Sequence, residues 1–408
     1  SSPAPLNGAL TEEEREKLSW IGLTRRQAPD LQMDEDALSL MGPLEITDRQ
    51  WNVLTDILLR VGYVLYGQDF ASLSQKRKIR AVWAALAGTG SELVVMKSRP
   101  DGDMGNISKA AEFLSKRVGD CDDLALLYMA CVKRLGASGL IDAQSIGMAT
   151  VDYYDPAKQK VNGHANVIHT VLEENAASAR SYVVELALRP KIIEMDIHGN
   201  EMFGKGNQAL MDILLGNLNS SRVEHISPQG KLESRERRLE EFVEPMRAEW
   251  LFYTGFEAAE LYYCETKGQS QKMNGEFEKA IDTFTRGIAI AEKAGLEKAN
   301  CLVCRGNSYG LLFYETMRKH GVEGNVGRMI ELRDREKADY DEAAKTAGTI
   351  YSIKGASMYY LYGADPPNYH LAEELLQRGI QMAPYHCELH LMMGRVHLGR
   401  FELDKAGE

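Results

Sequence analysis

The chain has 408 residues, a net charge of −11 and six cysteines. That length allows two or three domains, each able to bury its own core. The acidic balance, without any Lys/Arg run interleaved with aromatics, excludes nucleic acid as the expected partner, and no apolar stretch approaches a membrane span. The cysteines are too dispersed for a disulfide framework and are expected to be unpaired thiols.

The opening SSPAPLNG reads as a trimmed end, which leaves the compartment undetermined. Residues 1–100 read as a helical N-terminal extension. Thr11 and Glu14 make a capping box before LSWIGL, and Thr47 with Gln50 starts a second helix whose Trp51, Leu54, Leu58, Val61 and Leu65 line one face. Residues 72–86 read as a third, ended by Gly88 and Gly90. Asp101–Asn106 is a turn-rich loop, after which Ser108 is expected to cap a short helix.

Residues 101–220 form the candidate functional domain. In RVGDCDDLALLYMACVKRLG, Leu124, Leu127, Tyr128, Cys131, Val132 and Leu135 fall at helical spacing, and the positions between them are apolar too, so the helix should be buried nearly all round. Cys121 stands at its mouth. Free backbone N–H groups and the positive end of the helix dipole lower a thiol pKa there and offer donors to an oxyanion. Asp120, Asp122 and Asp123 oppose the thiolate, so an imidazolium is needed nearby. After Gly136 the period changes to 2: residues 143–153, 164–172 and 181–186 read as strands, giving an α+β order of helical lobe then antiparallel sheet.

A nucleophilic thiol needs a base and a group to orient it. A hairpin with a two-residue turn at Glu174 and Asn175 would set His164 directly across from Glu185, within reach of a carboxylate–imidazole contact. A longer loop would change that register, and Asp196 is the alternative third member. His169, on the opposite face of the strand, reads as structural, and Trp83 as core. Glu185 in an apolar strand wants a partner, since carboxylates are seldom buried alone.

Gly119-Asp120-Cys121-Asp122-Asp123, the helix after it, Gly163-His164-Ala165 and the strand ending in Tyr182-Val183-Val184-Glu185 together resemble the transglutaminase-like superfamily of papain-type cysteine enzymes, most closely its bacterial cysteine proteinase branch. The resemblance covers roughly residues 105–190. It implies a papain-like α+β domain, Cys121 as nucleophile, His164 as general base and then acid, Glu185 as orienter of His164, and a protein or peptide substrate. It also implies proteolysis more than transglutaminase or deamidase chemistry, or a degenerate domain kept as a scaffold. Glu185 stands where the family usually has aspartate, and Asn166 where it often has an aromatic residue. Some relatives are calcium-dependent through acidic residues flanking the cysteine, which makes calcium a candidate ligand of Asp120, Asp122 and Asp123; capping explains the same residues without a metal.

Residues 221–249 read as a linker and charged helix, and 250–408 as helical throughout. Ala338, Ala372 and Ala406 recur at a spacing of 34, and Gly268 precedes Ala280 as Gly394 precedes Ala406, with Phe284 and Pro384 at packing and terminating positions. This segment resembles tetratricopeptide repeats, with the period broken between 280 and 338; the resemblance implies an all-α solenoid whose concave face binds a protein partner. Cys301 and Cys304 lack a second ligand pair and are expected in the core.

Overall fold

The computed structural model describes residues 9–88, 107–143, 145–155, 160–172, 179–187, 191–195, 251–321, 325–384 and 386–400. The loop expected at 101–106, the turn at Glu174 and Asn175, Asp196, the linker and charged helix of 221–249, and Ala406 lie outside them. The chain is α-rich with one antiparallel sheet. No helix among the described residues is long and apolar enough to cross a membrane. Up to residue 195, with 251–263 added, the described chain forms one compact unit; from residue 264 it forms another.

In the first unit, α1 (Glu12–Leu18) and α4 (Asp48–Tyr66) both start on capping boxes, Thr11 with Glu14 and Thr47 with Gln50. Each box satisfies two N–H groups that a helix start leaves open. Between them lie α2 (Ala28–Leu31) and α3 (Glu35–Leu40). The third expected helix is α5 (Gln75–Trp83), which widens into a π-turn over 84–88. The next, α6 (Ala110–Lys116), is not capped by Ser108. Lys109 holds the cap position without a side-chain bond, and the Ser108 backbone N–H goes instead to Asp123. These helices belong to the same compact unit as the cysteine helix.

That helix, α7 (Cys121–Ala137), has every residue from Asp123 to Val132 buried. Burial of this apolar girth is what holds it between the helical layer and the sheet. It packs against α5, α6 and the first two strands. The sheet contains β1 (Ser145–Asp155), β2 (Lys160–Leu172), β3 (Ala179–Glu185), β4 (Lys191–Met195) and β5 (Leu251–Thr254), in the antiparallel order β4-β3-β2-β1-β5. Two strands were not expected from the sequence. β4 comes from a stretch with no clear pattern, and β5 corrects the reading of 250–408 as helical throughout: its LFYT pairs with β1 before α8 (Phe256–Met273) begins.

The register of β2 on β3 also differs from the two-residue-turn hairpin. Val167 pairs with Val184 and Ile168 with Val183, a slip of two residues that leaves Asn166, not His164, in line with Glu185. Because side chains alternate with a period of 2, that slip keeps His164 and Glu185 on one face.

The second unit is helical: the rest of α8 from Cys264, α9 (Phe277–Ala294), α10 (Ala299–His320), α11 (Val326–Thr346), α12 (Ile350–Met358), α13 (Tyr369–Met382) and α14 (Cys387–Gly399). From α9 on, neighbours in sequence pack on one another. Gly268 is required by the approach of α9, since a Cβ there would lie 2.5 Å from the Phe284 ring. Ala280 and Ala372 are buried, whereas Ala338 is exposed, so the recurrence of small residues does not extend to it. Cys301 and Cys304 are core residues, Cys304 meeting Gln269 and Tyr351.

Candidate active site

The turn into α7 is tightly specified. Asp120 is the N-cap, its Oδ1 accepting from the Asp122 N–H at 3.2 Å, while Asp123 Oδ2 accepts from the Asp120 N–H at 2.9 Å. Asp123 is fully buried and its Oδ1 takes the Ser108 N–H at 2.7 Å, tying the start of α7 to the approach of α6. Gly119 is dictated by this packing, because a Cβ would fall 2.3 Å from Asp123 Oδ2 and 2.5 Å from the Phe113 ring. Gly119→Ala is therefore expected to lower the stability of the first unit by about 1–3 kcal/mol, the usual cost of overpacking, and to slow Cys121 alkylation as the turn shifts. A thermal melt with adduct mapping checks both.

Cys121 follows as the first residue of α7. Its Sγ–H points to Asp122 Oδ1 at 3.4 Å, and its sulfur takes a hydrogen bond from the backbone N–H of Ala165, the residue after His164. That N–H is available because the β2–β3 pairing stops at Val167 and Val184. Burial, then the charges of Asp122 and Asp120, push the thiol well above its usual range, and the Ala165 N–H offsets only part of this. The outcome corrects the expectation that the helix start lowers the thiol pKa: the adjoining carboxylates and desolvation outweigh it.

His164 and Glu185 meet directly, Nε2 to Oε2 at 2.7 Å, both side chains about 1% exposed. Glu185 Oε1 accepts the Ala187 N–H at 2.8 Å, and the Glu185 carbonyl accepts from Trp83 Nε1 at 2.9 Å. Trp83, read as core from the sequence, is core and also pins the end of β3. An indole N–H buried among apolar residues must find an acceptor, which is the signal that could have marked it. With a carboxylate on Nε2, the proton sits on Nε2 and Nδ1 is left as the basic nitrogen.

His169 serves the other face of β2. Its Nε2 donates to the Asp142 carbonyl at 2.7 Å, so its Nδ1 accepts from Tyr128 Oη at 3.0 Å, and burial lowers its pKa to about 4. It is a neutral structural histidine.

Asp122 is the aspartate with a contact the sequence did not suggest. Its Oδ2 accepts from Tyr262 Oη on α8 at 2.7 Å, across 140 residues of chain. Burial and the charge of Asp120 raise its carboxyl to about 6, against the stabilising hydrogen bonds of Tyr262 and Cys121. Asp120, Cys121 and Asp122 place one potential ligand atom each within 4.8 Å of one another. Two carboxylates and a thiol fall short of the six to eight oxygens that calcium takes, and Asp123 is committed to two backbone N–H groups.

Compared with protein families, with characterised proteins and with solved structures, this chain finds no match.

Proposed function

We propose that the chain is a cysteine-dependent acyl-transfer enzyme of transglutaminase-like, papain-type architecture, acting on a protein or peptide, with Cys121 as nucleophile, His164 as base and Glu185 as its orienter. The observation that carries this reading is the fully buried His164–Glu185 pair beside a helix-start thiol whose sulfur abuts the residue next to that histidine. A buried imidazole–carboxylate pair stabilises a fold poorly, yet it is what a general base requires.

Because the thiol is raised, attack proceeds by general base catalysis and not from a resting thiolate. His164 Nδ1 takes the Sγ proton as sulfur bonds to the carbonyl carbon, and Glu185 holds the resulting imidazolium. The oxyanion falls to the backbone N–H of Cys121 at the start of α7. His164 then protonates the leaving amine as the C–N bond breaks, and the thioester is resolved by water, giving hydrolysis, or by an amine, giving a crosslink. Proteolysis is preferred on the sequence resemblance.

In the second unit, the fit of Gly268 to Phe284 and the buried Ala280 and Ala372 support a tetratricopeptide-type array that binds a protein segment. A second reading, a degenerate hydrolase domain serving as scaffold, is favoured by the raised Cys121 thiol. Iodoacetamide at neutral pH with adduct mapping separates the two. The enzyme reading expects Cys121 to react faster than exposed Cys387 and buried Cys131; labelling no faster than Cys387 leaves the scaffold.

A further inference from the structure

Helix α1 lies outside the residues that carry the family resemblance, yet it supplies one end of a buried chain of contacts that reaches the site. Arg80, on α5, is 1% exposed. Its Nη2 donates to Glu14 Oε2 on α1 at 2.9 Å and to the Ala9 carbonyl at 3.3 Å. Glu14 Oε2 also closes the α1 capping box by accepting the Thr11 N–H at 2.9 Å. The Arg80 guanidinium lies over the ring of Trp83, one turn further along α5, at 5.3 Å from the ring centroid. Trp83 is fully buried and gives its Nε1–H to the Glu185 carbonyl at 2.9 Å. Glu185 in turn holds His164 at 2.7 Å.

A buried ion pair adds little net stability, because desolvation of both charges offsets their attraction, and a well-packed apolar pair would serve the core as well. What an arginine adds is direction. Its planar cation is drawn to the π face of an indole, fixes the plane of that ring and draws electron density from it, which makes the N–H a stronger donor. The helix also departs from α geometry immediately after Trp83, in the π-turn over 84–88, a feature frequent at functional sites. At the receiving end, the β2–β3 pairing closes at Val167 and Val184, one residue short of Glu185. The indole therefore fixes the backbone from which the Glu185 carboxylate swings onto His164. We propose that Arg80 is a positioning residue, held by Glu14, that aims the Trp83 indole at the Glu185 carbonyl and through it sets the Glu185 carboxylate against His164. The N-terminal helix is then a working part of the enzyme and not an appendage to it. The inference rests on the enzyme reading above.

The test replaces the two charges together in the full chain, Glu14→Gln with Arg80→Met. Glutamine keeps the capping box and no ion is left buried alone, so the melting temperature should be unchanged or raised. The second-order rate of iodoacetamide addition to Cys121 is still expected to fall about fivefold, against about tenfold for Trp83→Phe, which keeps a ring but loses the N–H. In the Trp83→Phe background the paired replacement should have no further effect. An unchanged rate, or an equal slowing with and without the indole N–H, overturns the proposal. Proton NMR gives a readout independent of reactivity. Removing the Arg80 charge should move both the Trp83 Nε1–H and the His164 Nε2–H resonances upfield; a histidine resonance that stays in place overturns the proposal, whether or not the indole resonance moves. If the paired variant does not fold, Arg80→Lys, which keeps the charge but loses the flat guanidinium, is read in the same two resonances with the same outcomes. Should Cys121 of the unaltered protein prove unselective, the enzyme reading fails, and the two resonances still decide whether Arg80 acts through Trp83 on the His164–Glu185 pair.

Discussion

His164→Ala is expected to slow alkylation of Cys121 at neutral pH by about a hundredfold or more, the scale on which a positioned general base contributes. The raised thiol makes the effect large, because little thiolate exists without a group to receive the proton. The same substitution leaves the Glu185 carboxylate buried without its imidazole, and breaking a buried pair from one side costs about 3–5 kcal/mol. Loss of reactivity alone could thus be misread as loss of fold. Glu185→Gln separates the two: the amide oxygen still accepts from Nε2 while the amide nitrogen gives up the Ala187 N–H, so the first unit should lose only about the 1–3 kcal/mol of one unsatisfied donor, less than His164→Ala costs, while Cys121 labelling falls by a smaller factor. The adduct kinetics of Cys121, normalised to exposed Cys387, together with thermal melts of the three proteins, check the prediction. If His164→Ala folds and Cys121 labels at the original rate, His164 is not its base.

The parts of this site that rest on local rules were readable from the sequence. An all-apolar helix preceded by Asp-Cys-Asp-Asp could only be a capped, buried helix with its cysteine at the mouth, and the change of period after Gly136 marked the sheet. The pairing of His164 with Glu185 was legible for a subtler reason. The assumed register was off by two residues, but an even slip preserves the face, and a glutamate reaches the diagonal neighbour that an aspartate would reach less easily. What could not be read depended on distant chain. Nothing near Tyr262 announces that its hydroxyl ends on Asp122, and β5 is too short to stand out ahead of a long helix. The sign of the Cys121 shift was also hidden. It is set by how deeply the sulfur and Asp122 are buried together, which the neighbouring residue names do not reveal.

That burial leads to the other large effect. Asp122→Asn is expected to speed Cys121 labelling about tenfold at neutral pH, since it removes the nearest charge opposing the thiolate, and each unit of thiol pKa is a factor of ten in thiolate fraction while the pH stays below it. The hydrogen bond from Tyr262 survives, because the asparagine oxygen can still accept it. The pH dependence identifies the cause. In the unaltered protein the Asp122 carboxyl titrates near 6, so the rate should climb less steeply between about pH 5 and 7, where each gain in thiolate is partly cancelled by the new carboxylate charge; the variant should lack this shallow region. Stability should move in the matching direction. A carboxyl raised on folding binds its proton more tightly in the folded state, so its penalty is absent below about pH 4, grows as the pH rises through 6, and is fully present above that. Asp122→Asn should therefore stabilise the first unit at pH 7.5 and change little at pH 4. Equal rate profiles for the two proteins, or a variant less stable at pH 7.5, would show that Asp122 is not the group holding the Cys121 proton in place.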